Sequence, residues 1–312
     1  MKQMARCITI GWLAAVVMAG CSTGDPLASE EDSGGGAVLE SSYGALMAEF
    51  AYPRPGEERG VEVQAQFVDA RGVAIEPALE ALEVWTPRAG VEVGDCQLRH
   101  HGDDIAERAG EPAHLRLHDV GDITVESPRE QVVLEPTHLP DLLGSFYGVI
   151  YESQWTEDAA EGFVDYYPGE EYRFYAPGST QTGALEAAMT APEPIAVVGA
   201  NGIEVRDETS MIVGTGDKLE LVWTSEGRAL SGDEIFIDLS TGYGPGHVRA
   251  QCRSEDNGAF AVPSSVLREL SGAGDTATLE LRRVRRGATT IDGLDTVDVV
   301  FATKDRVELR FR

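Results

Sequence analysis

Segments in which apolar and polar residues alternate recur along residues 43–312, and this period of two restricts the fold more than any other feature. Leu219–Trp223 has an apolar residue at every second position, and Val248, Ala250 and Cys252 repeat the pattern. Because successive side chains of a strand point to opposite faces of a sheet, the alternation predicts strands with one buried face. Turn residues such as Asp256–Gly258 separate these segments at intervals of roughly 8–12 residues. We therefore expect a mainly β fold.

Two prolines within Ala191–Pro194 indicate a boundary, because proline lacks the backbone N–H that strand pairing needs. We expect two β-rich domains, residues 43–190 and 191–312, the second an immunoglobulin-like β-sandwich. One short helix is predicted from Pro263 to Leu270, since proline suits the first helical turn. Residues 184–189 are compatible with either a helix or a strand.

The N-terminus combines basic residues, a short apolar run and small residues before a cysteine. Lys2 and Arg6 precede the apolar residues 8–19, and Met18–Cys21 closes the run. This is the layout of a secretory signal, and it resembles the lipobox of bacterial lipoproteins. The resemblance implies cleavage before Cys21, a diacylglycerol on its thiol and usually an acyl group on its new amine. Residues 1–20 are then a signal peptide, and the lipid bilayer is a partner through the acylated Cys21.

Residues 21–42 are predicted to be a flexible tether. They are rich in Gly, Ser, Asp and Glu and contain little apolar surface to bury, as in Glu30–Gly36. By analogy with the sorting rule of enteric lipoproteins, the absence of Asp immediately after Cys21 indicates the outer membrane. We expect a cell-envelope protein held there by lipid.

The chain is strongly acidic, with 53 Asp and Glu against 25 Lys and Arg and a formal charge of −28. Such a charge disfavours nucleic acid as a partner, because nucleic-acid binding needs a basic surface. It favours solubility and leaves divalent cations possible as ligands. Adaptation to a saline habitat and a charge pattern dedicated to a ligand are both compatible with this composition.

Cys96 and Cys252 are the two cysteines of the predicted body. In an exported chain they most simply form one disulfide, which would join the two halves. Buried free thiols are the alternative.

His100, His101, Asp103 and His118 are candidates for a metal site. Imidazole and carboxylate are common metal ligands, but the spacing leaves the remaining ligands undefined. A polar loop with solvated side chains is the competing interpretation. The acidic turns 231–234 and 255–258 could bind calcium, although ordinary hairpin turns use the same residues.

Ten aromatic residues lie between Phe146 and Tyr175. Exposed on a sheet they would form a platform for a glycan or peptide, and buried they would fill the first core. The sequence contains none of the common enzyme motifs, neither a nucleophile elbow, a zinc-protease helix, a phosphate-binding glycine loop nor a Cys-x-x-Cys pair.

We therefore expect a non-enzymatic envelope protein without a cofactor, which binds an envelope protein or a glycan or has a structural role. The alternative is a metal-dependent or hydrolytic enzyme that uses the region from His100 to His118.

The body also resembles predicted lipoproteins encoded in myxobacterial genomes. The similar segments are Leu219–Trp223, the strand that ends at Cys252, Asp256–Pro263 with the helix that follows, and Tyr166–Tyr172. The resemblance implies a β-rich fold and a surface role, and it transfers no functional residue.

Overall fold

A computed structural model describes residues 40–52, 60–71, 85, 90–100, 114–142, 146–153, 164–205, 210–214, 216–224, 232–242 and 247–312. These described residues belong to one compact unit. The predicted signal peptide, Cys21, His101 and Asp103 lie outside the described residues, as does the predicted tether up to residue 39.

The described chain is mainly β, as predicted, with nineteen strands and one helix, α1, at Ser264–Ala273. The strands are β1 Glu40–Ala51, β2 Val61–Arg71, β3 Cys96–His100, β4 His114–Leu117, β5 Ile123–Glu126, β6 Gln131–Leu134, β7 Thr137–Leu142, β8 Phe146–Glu152, β9 Glu171–Ala176, β10 Leu185–Thr190, β11 Val197–Ala200, β12 Ile203–Glu204, β13 Ser210–Val213, β14 Leu219–Trp223, β15 Glu234–Ser240, β16 Val248–Ser254, β17 Ala259–Val262, β18 Thr276–Thr289 and β19 Thr296–Phe311.

The strands form three sheets. The largest has eleven strands in the order β3-β16-β15-β18-β19-β1-β2-β4-β8-β7, and β13 also pairs with β19. The two others have four strands each, in the orders β10-β9-β5-β6 and β12-β11-β14-β17. Both predicted domains contribute strands to the large sheet, and the boundary at residues 190 and 191 stays a prediction.

A long antiparallel hairpin, β18–β19, runs through the large sheet. The first part of β19 pairs in parallel with β1, from Thr296 to Lys304, and its last part pairs in parallel with β13. The two strands of this hairpin are continuous over 14 and 16 residues.

Two apolar cores lie on the same face of this hairpin. Every second residue of β19 points to that face, in the first part of the strand into the N-terminal core and in its last part into the C-terminal core. The N-terminal core lies against the sheet β10-β9-β5-β6 and includes Leu46, Val63, Phe67, Ile123, Tyr151, Tyr172, Phe174, Val299 and Phe301. The C-terminal core lies against the sheet β12-β11-β14-β17 and includes Leu219, Leu221, Trp223, Ile237, Cys252, Leu267, Leu281 and Leu309.

Helix α1 begins directly after Pro263, close to the prediction, and buries Val266, Leu267 and Leu270. Residues 184–189, for which helix and strand were both open, contribute to strand β10.

Strand β1 begins at Glu40, so residues 40–42, assigned to the tether, pair instead with β2. In the C-terminal half the chain passes back and forth between the large sheet and the sheet β12-β11-β14-β17. The closer assignment of this half as immunoglobulin-like stays a prediction.

Within the described ranges, no helix has the length and hydrophobicity needed to cross a membrane.

Candidate functional site

The most unusual cluster of charged residues comes from the run Arg282-Arg283-Val284-Arg285-Arg286 of β18. Four arginines in five residues stand out in a chain with a net charge of −28. Because side chains alternate along a strand, Arg283 and Arg285 point toward the two cores while Arg282 and Arg286 point to the opposite face. The run therefore builds two separate clusters, one on each side of the sheet.

The inward-pointing arginines lie between the two apolar cores. Arg283 is 2% exposed, and its Nε donates to Asp256 Oδ2 at 2.7 Å. Its Nη1 donates to the carbonyl oxygens of Glu193 and Pro194 at 2.9 and 2.8 Å, and its Nη2 donates to the Thr224 carbonyl at 3.1 Å. This buried guanidinium thus has a carboxylate partner and several carbonyl partners, as a buried charge requires.

Arg285 makes a second set of contacts in the same layer. Its Nε and Nη2 donate to the two carboxylate oxygens of Asp233 at 2.7 and 2.8 Å, and its Nη1 donates to the Thr190 carbonyl at 2.8 Å. The neighbouring β19 contributes Thr303 and Asp305, which are 1% and 6% exposed. We call Arg283, Arg285, Asp233, Asp256, Thr303 and Asp305 the inter-core polar cluster.

The outward-pointing Arg282 holds three carboxylates. It donates to Glu49 Oε2 at 3.0 Å, Asp238 Oδ2 at 2.7 Å and Glu280 Oε2 at 2.6 Å. Lys304 forms a further ion pair with Glu49. We call Glu49, Asp238, Glu280, Arg282 and Lys304 the outer-face ion cluster.

Trp85 covers this outer-face ion cluster. The Arg282 guanidinium carbon lies 5.0 Å from the centre of the indole ring, and the indole Nε1 donates to Asp238 Oδ2 at 2.9 Å. Phe236 meets the same indole edge to face at 5.5 Å. A cation over the face of an indole is a favourable contact, more so when water is excluded.

The charges of this cluster shift one another's pKa values. Burial alone would raise the pKa of Glu49, but the attraction of Arg282 and Lys304 outweighs it and holds this pKa below its ordinary value. Burial would lower the pKa of Arg282, yet Glu49 and Asp238 raise it above its ordinary range. Both groups stay ionised at neutral pH, so the buried Arg282 and Glu49 form the centre of a cluster of three carboxylates and two cations.

The predicted histidine candidates do not share one location. His100 ends β3 and His118 follows β4, and seven strand spacings separate these strands in the large sheet. At about 4.8 Å per spacing the two strands lie roughly 33 Å apart along the sheet. The exposed His100 lies 3.9 Å from Glu269, while His101 and Asp103 are outside the described residues.

His118 is buried, with 6% exposure, and its Nε2 lies 2.9 Å from Asp69 Oδ2. Its other ring nitrogen, Nδ1, makes no hydrogen bond within the described part of the chain. No group of three or more His, Cys, Asp or Glu side chains there is arranged to hold a metal ion.

Cys96 and Cys252, the predicted disulfide partners, are joined in the structure. They lie directly opposite each other on β3 and β16, so the disulfide attaches the edge strand β3 to the C-terminal core. The acidic turns considered for calcium use Asp233 and Asp256 as partners of Arg285 and Arg283.

The aromatic residues between positions 146 and 175 mostly serve the first core where they are described. Tyr151, Tyr172 and Phe174 are at most 1% exposed, whereas Tyr175 is 49% exposed. Tyr172 meets Phe301 edge to face at 5.0 Å. The buried interpretation therefore holds for these three side chains.

Sequence reasoning missed both arginine clusters. The signal was present in the run 282–286, because consecutive arginines in an acidic β-rich chain imply partners on both faces of one strand. Which carboxylates those partners are could not be read from the run.

No protein-family model matches the chain, and no curated protein matches it. One similar solved structure is the yeast delta-COP-I mu-homology domain, with 9% sequence identity, coverage of 88% of this chain and 97% of that chain, and a TM-score of 0.18. At this TM-score the similarity supports no conclusion about fold or function.

Proposed function

We propose that the protein is a lipid-anchored envelope protein of the outer membrane, held there by an acylated Cys21, whose β body has a binding or structural role. The observation that carries this proposal is the sequence Met18–Cys21, with its basic and apolar run before it and its acidic, polar segment after it. Its partner is an envelope protein or a glycan.

The position of the first strand supports such a display role. Ser42 donates its backbone N–H to Asp295 Oδ2 at 3.0 Å, so the body starts beside the turn between β18 and β19. Tyr43 pairs with Thr296, while Leu309 of the C-terminal core lies at the far end of the same strand β19. Thirteen residues at about 3.3 Å each place Leu309 roughly 40 Å along β19 from Thr296, the residue beside the start of the body.

The ion pairs within the two arginine clusters also favour a structural interpretation of the buried polar groups. Arg282, Arg283 and Arg285 each have carboxylate partners from this chain. A partner would therefore contact exposed surface, and the charge of the chain favours one that tolerates or complements an acidic surface.

Metabolic labelling with a radioactive fatty acid, followed by membrane fractionation, tests the anchor. We expect the wild-type chain to carry label and sediment with membranes, and Cys21→Ala to lose both properties. Ser22→Ala is the matched control and keeps them. Label or membrane association in Cys21→Ala would overturn the anchor.

Cross-linking in intact cells followed by purification of the full-length protein tests the binding role, together with a glycan array. We expect recovery of a specific envelope protein or of a glycan ligand. Failure of both assays with a correctly lipidated protein would overturn the binding role while leaving the anchor intact.

A further inference from the structure

The segment that connects the two cores is fastened to the β18–β19 hairpin by the inter-core polar cluster. Residues 191–196 lie between β10 and β11, outside any strand. Arg285 binds the carbonyl oxygen of Thr190, and Arg283 binds those of Glu193 and Pro194. The hairpin therefore holds this segment at three carbonyl groups.

Strand β19 adds two further contacts to the same segment. Thr303 Oγ1 donates to the Glu193 carbonyl at 3.0 Å. The backbone N–H of Val197 donates to Asp305 Oδ2 at 2.9 Å. Both side chains are at least nine-tenths buried, so these bonds form where water does not compete.

The cluster also contacts the C-terminal core directly. Asp256 binds the Arg283 guanidinium through both carboxylate oxygens, and its Oδ1 accepts a hydrogen bond from Trp223 Nε1 at 3.0 Å. Trp223 is 2% exposed within that core. One carboxylate thus links a core side chain to Arg283, and Arg283 in turn binds the connecting segment.

Along β18 and β19 the polar cluster separates apolar residues of the two cores. On β19 the order is Phe301 in the N-terminal core, then Thr303 and Asp305, then Val307 in the C-terminal core. The two ends of the connecting segment have their own bonds, because the Ala191 N–H donates to the Glu170 carbonyl at 2.8 Å and the Thr224 N–H donates to the Ala196 carbonyl at 2.9 Å. The cluster therefore holds the part between these ends, at the carbonyl groups of Glu193 and Pro194.

We propose that Arg283 and Arg285 couple the two cores by fixing the connecting segment, which acts as a hinge when they are removed. With the arginines in place the two cores unfold together, and without them each core unfolds by itself. This inference goes beyond the proposed function and holds for the chain with or without its lipid.

Hydrogen exchange followed by mass spectrometry on the full-length protein, across a series of urea concentrations, tests the coupling. In the wild type we expect peptides of β2 and β14, one from each core, to give the same opening rate once intrinsic amide exchange is divided out, and the same urea dependence. The double variant Arg283→Met/Asp256→Asn removes both charges of the pair together. It should separate the two rates by about tenfold or more and increase exchange in residues 190–197.

Arg310→Met is the matched control, because Arg310 is an exposed arginine of β19 paired only with Glu308 among the described contacts. It should leave the two cores exchanging together. Equal rates for both cores in the double variant, or unequal rates in the wild type, would overturn the proposal.

Thr303→Val is a milder variant that keeps the test informative if the double variant does not fold. It removes one hydrogen bond to the connecting segment and keeps the shape of the side chain. We expect faster exchange in residues 190–197 and a difference between the rates of the two cores that is smaller than in the double variant. Unchanged exchange in that segment would contradict the coupling.

Discussion

Replacing Glu49 by glutamine removes one charge from the outer-face ion cluster while keeping the side-chain shape. Glu49 is 8% exposed and binds Arg282 and Lys304. After the substitution Arg282 keeps Asp238 and Glu280, whereas Lys304 loses the carboxylate it contacts here. The variant therefore removes the contacted carboxylate of Lys304 and one of the three carboxylates around the buried Arg282.

Breaking a buried ion pair by removing one partner costs about 3–5 kcal/mol. Because Arg282 retains two carboxylates, we expect the lower end for Glu49→Gln, a loss of about 3 kcal/mol in the free energy of unfolding. For a domain of this size that corresponds to a decrease in Tm of about 6–12 °C. Urea unfolding at neutral pH, followed by tryptophan fluorescence, measures the free energy.

The effect should depend on pH in a defined direction. The pKa of Glu49 is lowered in the folded state, so its contribution is complete above its unfolded pKa of about 4.3 and is lost as the pH falls through the folded pKa. The difference between wild type and Glu49→Gln should therefore shrink as the pH falls below about 4.

Glu308→Gln is the control, because Glu308 pairs with Arg310 at an exposed position. Exposed pairs contribute about 0–1 kcal/mol, so this variant should change stability little. A loss in Glu49→Gln no larger than in the control, or a loss that stays constant down to pH values well below about 4, would refute the reasoning.

Three further predictions concern the disulfide, a buried tyrosine and a glycine. The Cys96→Ala/Cys252→Ala variant should lose about 2–4 kcal/mol in urea unfolding, and thiol labelling at Cys96 or Cys252 in the denatured, unreduced wild type would contradict the disulfide. Burial raises the pKa of Tyr172 to about 12. Stability linked to this phenol is therefore complete below its unfolded pKa of about 10 and is lost as the pH rises from there through the folded pKa of about 12. Comparing the alkaline ultraviolet titration with that of Tyr172→Phe measures this pKa, and ionisation near pH 10 in the folded protein would count against burial. In Gly44→Ala the new Cβ would lie 2.8 Å from a Phe67 side-chain carbon and should cost about 1–3 kcal/mol in thermal unfolding, whereas Gly272→Ala, with nothing within 4 Å, should not destabilise.

Much of the fold class could be predicted from local pattern, because strand alternation is visible in the residues themselves. Leu219–Trp223, Val248–Ser254 and the helix after Pro263 all form near their predicted positions. Strand β1 was not predicted: Glu40–Ala51 is rich in residues that also suit a helix, and its strand state depends on pairing with β2 and β19.

The candidate site was predictable only in part. The disulfide partners followed from the number of cysteines, whereas the histidines were grouped by nearness in sequence. The sheet instead separates His100 from His118 by six intervening strands. Nearness along the chain does not imply nearness in a sheet whose neighbouring strands come from distant segments.

The sequence by itself determined the class of fold, since the period of two in apolar residues is a local property of each strand. Only the tertiary structure decided which strands are neighbours and which charges become buried partners. Glu49 and Arg282 are 233 residues apart in the chain, and Arg283 meets Glu193 across 90 residues. Such pairs form because parallel and antiparallel pairing brings distant strands into register, and burial then makes each charge depend on the partner that the register supplies.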